Sequence, residues 1–147
     1  HNEVGYNFRL SNIQAALGVA QLEKLPEYLE IKKKNYQTYK NEIDKIPGLH
    51  LADVPSYSKN NYWMYPVQID KDIYGRDLEG LMSYLKNRKI ETRPIWYLNH
   101  LQKPYRDCQS YRIEKAFQMW EKTLNIPCSV NLRKEEIERV INELKNG

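Results

Sequence analysis

Asn7 and Arg9, with Tyr6 beside them, stand just ahead of Ser11. Ser11 reads as a helix N-cap, whose hydroxyl accepts from a free backbone N–H of the first turn. Gln14, three residues on, can reach back and complete a capping box. A helix N-terminus carries free N–H groups and the positive end of the helix dipole. Asn and Arg beside it therefore suit negative charge. The same pattern also fits an ordinary capped helix with two polar loop residues, and spacing leaves both readings open. A second gathering lies in residues 95–110, where no period is clear but Trp96, Tyr97, His100 and Tyr105 crowd together. Such a loop either carries function on a scaffold or plugs the core beneath it. Cys108 and Cys128 have no metal spacing and form no Cys-x-x-Cys motif. Lys24, Lys86 and Lys115 fall on expected helix surfaces, whereas a reactive lysine needs a shielded site. No catalytic residue and no metal ligand is assigned.

The elements that must hold these residues follow from periodicity. Ile13, Ala16, Leu17 and Ala20 lie at helical spacing behind Ser11, a narrow face of small residues that lets another helix come close. Pro26 is expected to end or kink this helix. A second helix is then expected from Pro26 to about Lys45, with Leu29, Tyr36, Tyr39, Ile43 and Ile46 as its stripe. Lys32, Lys33 and Lys34 interrupt the stripe and read as a solvated turn, three lysines being short of a binding run. Tyr62 to Ile69 alternates and reads as a strand, with Pro66 favouring an edge or a bulge. Asp77 caps a helix carrying Leu78, Leu81, Met82 and Leu85. Lys89 to Arg93 returns as a short strand closed by Pro94, expected to pair with the first strand. Ile113, Ala116, Phe117 and Trp120 mark a helix, and Asn125 to Cys128 a short extended piece. Asn131 is expected to cap a last helix with Ile137, Val140, Ile141 and Leu144 inward. Helices and strands in this alternation make an α/β unit.

At 147 residues the chain can bury about 68–70% of its unfolded surface, enough for one domain. Hydrophobic residues at 41% and charged residues at 29% are ordinary for a globular protein. The net charge of +4 comes from 23 basic and 19 acidic residues, interspersed along the chain. That balance suits a small acidic ligand. Interspersed charge without stacking aromatics among the basic residues argues against nucleic acid. No run reaches the roughly 20 apolar residues of a membrane helix, and no signal-peptide pattern is present. Two thiols fit a reducing cytosol, so a cytoplasmic setting is expected.

The stretch G-Y-N-F-R-L-S-N-I-Q-A-A-L-G-V-A-Q-L-E-K, residues 5–24, resembles the signature of the DegT/DnrJ/StrS-type sugar aminotransferases. The stretch T-R-P-I-W-Y-L-N-H-L-Q-K-P-Y, residues 92–105, is similar to a second segment of that family: an Arg-Pro, an aromatic, a His-Leu-Gln, then Pro-Tyr. L-N-I-P-C-S, residues 124–129, resembles the Leu-Pro turn before the family's last helix. The resemblance spans almost the whole chain in order. It looks closest to enzymes that aminate 4-keto-6-deoxy sugar nucleotides toward legionaminic-acid-like sugars.

This resemblance implies a fold-type-I transferase that uses pyridoxal phosphate to move an amino group, from glutamate, onto a keto-sugar nucleotide in surface-glycan biosynthesis. It implies a homodimer. It implies that the chain is the C-terminal part of such a protein: residues 1–46 a helical link to a larger domain that holds the cofactor lysine, residues 47–147 a small α/β domain with long N-terminal helices on an antiparallel or mixed sheet. On that reading the chain alone is inactive. The alternative is a non-catalytic binding or regulatory domain of the same fold. Asn7 matches a family Asn that donates to the cofactor phosphate of the neighbouring subunit, and Arg9 a basic residue nearby. Arg93, Tyr97 and His100 match a segment bordering the sugar-nucleotide site. At Tyr97-Leu98-Asn99 the chain departs from the commoner Lys-Pro-Met, which leaves the nucleotide and sugar open.

Overall fold

A computed structural model describes residues 2–7 and 9–147. His1 and Phe8 of the entry loop lie outside the described residues. Ser11 caps the first helix as its sequence demands. Its hydroxyl accepts from the Gln14 N–H at 3.3 Å, and the Gln14 carboxamide accepts from the Ser11 N–H at 2.8 Å. Helix α1 then runs from Asn12 to Ile43, 32 residues, with Pro26 inside it. Pro26 does not end the helix, and the separate helix expected from Pro26 is the continuation of α1. Proline removes one helical hydrogen bond, and here it sits in an exposed stretch, where water can satisfy the freed carbonyl. Only the last turns of α1 are buried, through Tyr36, Tyr39 and Ile43. Ile13, Leu17 and Leu22 on its first half are 63–77% exposed.

Gly48 ends the approach to the sheet at φ +80°. A Cβ there would lie 2.5 Å from the Tyr74 backbone nitrogen, so glycine is required by space as well as by dihedral. Four strands follow: β1 (Leu49–Leu51), β2 (Tyr65–Ile69), β3 (Arg93–Pro94) and β4 (Thr123–Ile126). The sheet is antiparallel throughout, in the order β1-β2-β4-β3. The strand at Tyr65–Ile69 therefore does not pair with Arg93–Pro94, as the sequence had suggested; β4 stands between them. β4 is buried along its whole length. Its alternate Thr123 and Asn125 disguise a central strand as a short polar piece. β1 carried no expected strand signal.

Helices α2 (Lys71–Tyr74), α3 (Leu78–Asn87), α4 (Glu114–Glu121) and α5 (Lys134–Lys145) complete the fold. Asp77 caps α3, accepting from the Gly80 N–H at 2.8 Å. Leu81 and Leu85 of α3, the four expected residues of α5 and Tyr65, Val67 and Ile69 of β2 make one core with the end of α1. α5 has Arg133 rather than Asn131 as its N-cap. The Glu136 carboxylate reaches back to the Arg133 N–H at 2.9 Å, while the Asn131 N–H is taken by the Ser129 hydroxyl at 3.2 Å. No helix among the described residues is long and apolar enough to cross a membrane.

Candidate functional site

Pro94 brings no N–H to the ladder, and β3 stops there after two residues. A cavity of about 580 Å³ lies beside β3 and the C-terminal half of β4. Met64, Arg93, Trp96, Asn125, Cys128 and Arg139 are among its lining residues. Its walls are fixed from below by Lys32. The Lys32 Nζ donates to the Cys128 carbonyl at 2.7 Å, the Trp63 carbonyl at 3.1 Å and the Tyr62 carbonyl at 3.2 Å. One side chain thus ties the loop before β2 and the turn after β4 to α1. The expectation of a solvated lysine turn fails at this residue, while Lys33 and Lys34 are exposed. Trp96, which lines the cavity, packs on Trp63 with ring centroids 5.3 Å apart. Cys128 lies 4.0 Å from the Met64 sulfur, and both cysteines are free thiols.

Of the residues singled out by sequence, Arg93 lines this cavity. Its guanidinium is steadied by Glu91, with Nη2 2.9 Å and Nε 3.3 Å from one carboxylate oxygen. Tyr97 and His100 are not among the lining residues. Tyr97 stands edge-on to Trp120, 5.3 Å between centroids, and Trp120 in turn touches Phe117 of α4. His100 is half-buried in a 3₁₀ turn at Asn99–Leu101, whose fold is braced by the Gln102 amide donating to the Asn99 side chain at 3.1 Å. The aromatic loop thus divides: Trp96 borders the cavity and Tyr97 packs on α4.

Asn7 and Arg9 belong to another place. The Asn7 Oδ1 accepts the Arg9 N–H at 2.9 Å, with Arg9 in the left-handed region at φ 72°. That bond commits the oxygen of the carboxamide and leaves its NH₂ as the group on offer. A cofactor phosphate needs donors, so this loop fits the phosphate end of such a group. At 1.5 Å per residue, α1 puts about 36 Å between Asn12 and Tyr36, where the helix meets the core. The loop and the cavity of one chain are therefore separate sites.

Two residues escaped the reading of the sequence. Lys32 lay inside a run of three look-alikes. Asn125 is 8% exposed in the central strand and lines the cavity. Its signal was a lone amide between Leu124 and Ile126. In the core, burial pushes the Tyr39 and Tyr65 phenols above the ordinary tyrosine range, so both are neutral at physiological pH. Among the described residues no group of three or more His, Cys, Asp or Glu could hold a metal ion.

Residues 1–145 match the sequence profile of the DegT/DnrJ/EryC1/StrS aminotransferase family. The chain belongs to that family. It is similar to the GDP-perosamine synthase of Vibrio cholerae, 26% identical over 99% of this chain and 40% of the relative. It is equally similar to a UDP-4-amino-4,6-dideoxy-N-acetyl-beta-L-altrosamine transaminase of Campylobacter jejuni, 26% identical over 99% of this chain and 40% of that one. Among solved structures it superposes on DesI, crystallised with its TDP-sugar product, with a TM-score of 0.85 and 25% identity, covering 93% of this chain and 35% of DesI. The aminotransferase PseC of Helicobacter pylori shares the fold at a TM-score of 0.82 and 21% identity, over 98% of this chain and 39% of PseC. The chain thus spans about 35–40% of the length of these family members.

Proposed function

We propose that the protein carrying these residues is a pyridoxal-phosphate-dependent aminotransferase that moves an amino group from glutamate to a keto-sugar nucleotide in surface-glycan biosynthesis, and that this chain is its C-terminal portion. The observation that carries the reading is the family match over 145 residues. When bound, pyridoxal phosphate supplies the electron sink for amino transfer. The residues of this chain bind and orient. The Asn7 NH₂ donates to the cofactor phosphate of the neighbouring subunit in a homodimer, with Arg9 adding positive charge to the same loop. The roughly 36 Å reach of α1 supports service to a second body rather than to its own sheet. Residues 1–46 form the arm to a larger domain, which would cover the exposed stripe of Ile13, Leu17 and Leu22. Arg93 pairs with the diphosphate in fork geometry. Tyr97 and His100 border the sugar, His100 donating to a hydroxyl. The relatives' names carry GDP, UDP and TDP sugars, so the closeness to legionaminic-type enzymes rests on motif likeness alone.

The test uses the protein in its natural full length, loaded with pyridoxal phosphate and given labelled glutamate with nucleotide-linked 4-keto-6-deoxy sugars. Mass spectrometry should find the label as a sugar amine. Retained cofactor without transfer to any of GDP-, UDP- or dTDP-linked keto sugars would overturn the reading.

A further inference from the structure

The ladder between β2 and β4 ends at the Tyr65–Ile126 pair. Beyond it the two segments part: Trp63 and Met64 lead into β2, and Pro127 and Cys128 lead out of β4. Met64 and Cys128 both line the cavity, and Trp63 packs on Trp96, which lines it too. No backbone ladder sets the spacing of these segments, and Lys32 of α1 holds them instead. Its Nζ donates to the Cys128 carbonyl at 2.7 Å on one side. On the other it donates to the Trp63 and Tyr62 carbonyls at 3.1 and 3.2 Å. An ammonium has three N–H donors, so every one of them is spent on backbone. Lys32 makes no ion pair among the described residues, and carbonyl dipoles alone hold its head. The residue is anchored at its own backbone as well. The Tyr65 hydroxyl donates to the Lys32 carbonyl at 2.7 Å, and the Lys32 Nζ lies 5.5 Å from the centre of the same buried ring.

We infer that Lys32 is a positioning residue for the sugar-nucleotide half of amino transfer. Its ammonium sets the gap between the Trp63–Met64 segment and the Cys128 turn, and with it the fit of a ligand held at Arg93. The inference rests on the placing of the sugar nucleotide at Arg93 given above. It adds a residue that touches neither substrate nor cofactor and acts through the segments it holds. A wall misplaced by about 1 Å is enough to cost a site much of its fit. Such a loss weakens the bound substrate and its transition state alike, so it raises KM and spares kcat. The half that takes the amino group from glutamate uses another part of the chain. At 1.5 Å per residue, α1 puts about 30 Å between Lys32 and Asn12, behind the Asn7 loop. That half is independent of Lys32.

The test uses the full-length natural protein loaded with pyridoxal phosphate, given glutamate and GDP-, UDP- or dTDP-linked 4-keto-6-deoxy sugars. For whichever sugar the parent aminates, Lys32→Met should raise KM about tenfold, the worth of one hydrogen bond. Its kcat should stay within about twofold of the parent. Formation of 2-oxoglutarate from glutamate in a single turnover without sugar should be unchanged. Lys32→Gln keeps a neutral amide donor and should raise KM about threefold. Tyr74→Phe is the destabilised control. It removes the bond from the Tyr74 hydroxyl to the Leu144 carbonyl, outside the cavity lining, and should leave KM unchanged. Circular dichroism identifies a variant that fails to fold, and if Lys32→Met does, Lys32→Gln decides. An unchanged KM in the deciding variant, an equal rise in Tyr74→Phe, or a matching loss of glutamate turnover would overturn the positioning role. A parent that aminates none of the three sugars overturns the aminotransferase reading instead. Lys32 is then judged by calorimetric dissociation constants of GDP, UDP and dTDP. Weakening of about tenfold in Lys32→Met upholds the role, and unchanged constants or no binding by the parent overturn it.

Discussion

Replacing Lys32 with methionine removes three hydrogen bonds while keeping most of the side chain's length. The bonds to the Cys128 and Tyr62 carbonyls are half-buried, and the one to Trp63 is exposed. A hydrogen bond from a charged donor contributes about 1.5–3 kcal/mol, and an orphaned buried carbonyl costs about 1–3 kcal/mol. The exposed carbonyl regains water, so two orphans remain. Against them stands the relief of no longer desolvating Nζ. The expected net loss for Lys32→Met is about 2–3 kcal/mol. In a chain of this size that lowers Tm by about 4–12 °C. Lys33→Met and Lys34→Met are the internal controls. Both residues are exposed and hold no side-chain hydrogen bond among the described residues, so each should stay within about 0.5 kcal/mol of the parent. Thermal unfolding followed by circular dichroism reads all three, and near-ultraviolet ellipticity should fall only in the first as Trp63 loses its anchor. Equal shifts for all three lysines would refute the clamp.

Asn7→Ala in the full-length protein should weaken retention of pyridoxal phosphate by roughly ten- to a hundredfold, with folding little changed, because one donor to a charged phosphate is lost. Cofactor absorbance during dilution checks this, and equal retention in an intact dimer removes Asn7 from the site. Stability should fall above pH 10. Burial raises the phenols of Tyr39 and Tyr65, and that of Tyr74 to about 12. An unfolded tyrosine ionises near 10, so their stabilisation is complete below that pH and is lost as pH rises through the folded values. Urea midpoints at pH 8, 10 and 11 should decline in order, and Tyr74→Phe should shallow the decline; a flat series contradicts the burial argument.

What the sequence disclosed and what it hid follow from the range of the interactions involved. Ser11 with Gln14, Asp77, and the inward face of α5 are settled within one or two turns of chain, and they stand where local spacing put them. The expected α/β class holds for the same reason: Tyr65, Val67 and Ile69 announce a strand by alternation alone, although the partner expected for it was the wrong one. Pro26 misled because its local penalty is real but small beside the bonds on either side, in a stretch that water can reach. β4 misled because burial on both faces removes the alternation that marks a strand, and Thr123 and Asn125 look like turn residues in isolation. The site shows the same division. The Asn7–Arg9 loop is local and was legible, down to a helix N-terminus behind it. Arg93 was legible as a residue, but its neighbours were not: Asn125 lies 32 positions later and meets it only because β4 inserts beside β3. Lys32 reaches a carbonyl 96 positions away. No window on the sequence holds both ends of such a bond, whereas the Arg93–Glu91 pair in the cavity wall is local. The family motifs located the segments; only the strand order could say that Asn125 and Arg93 stand side by side.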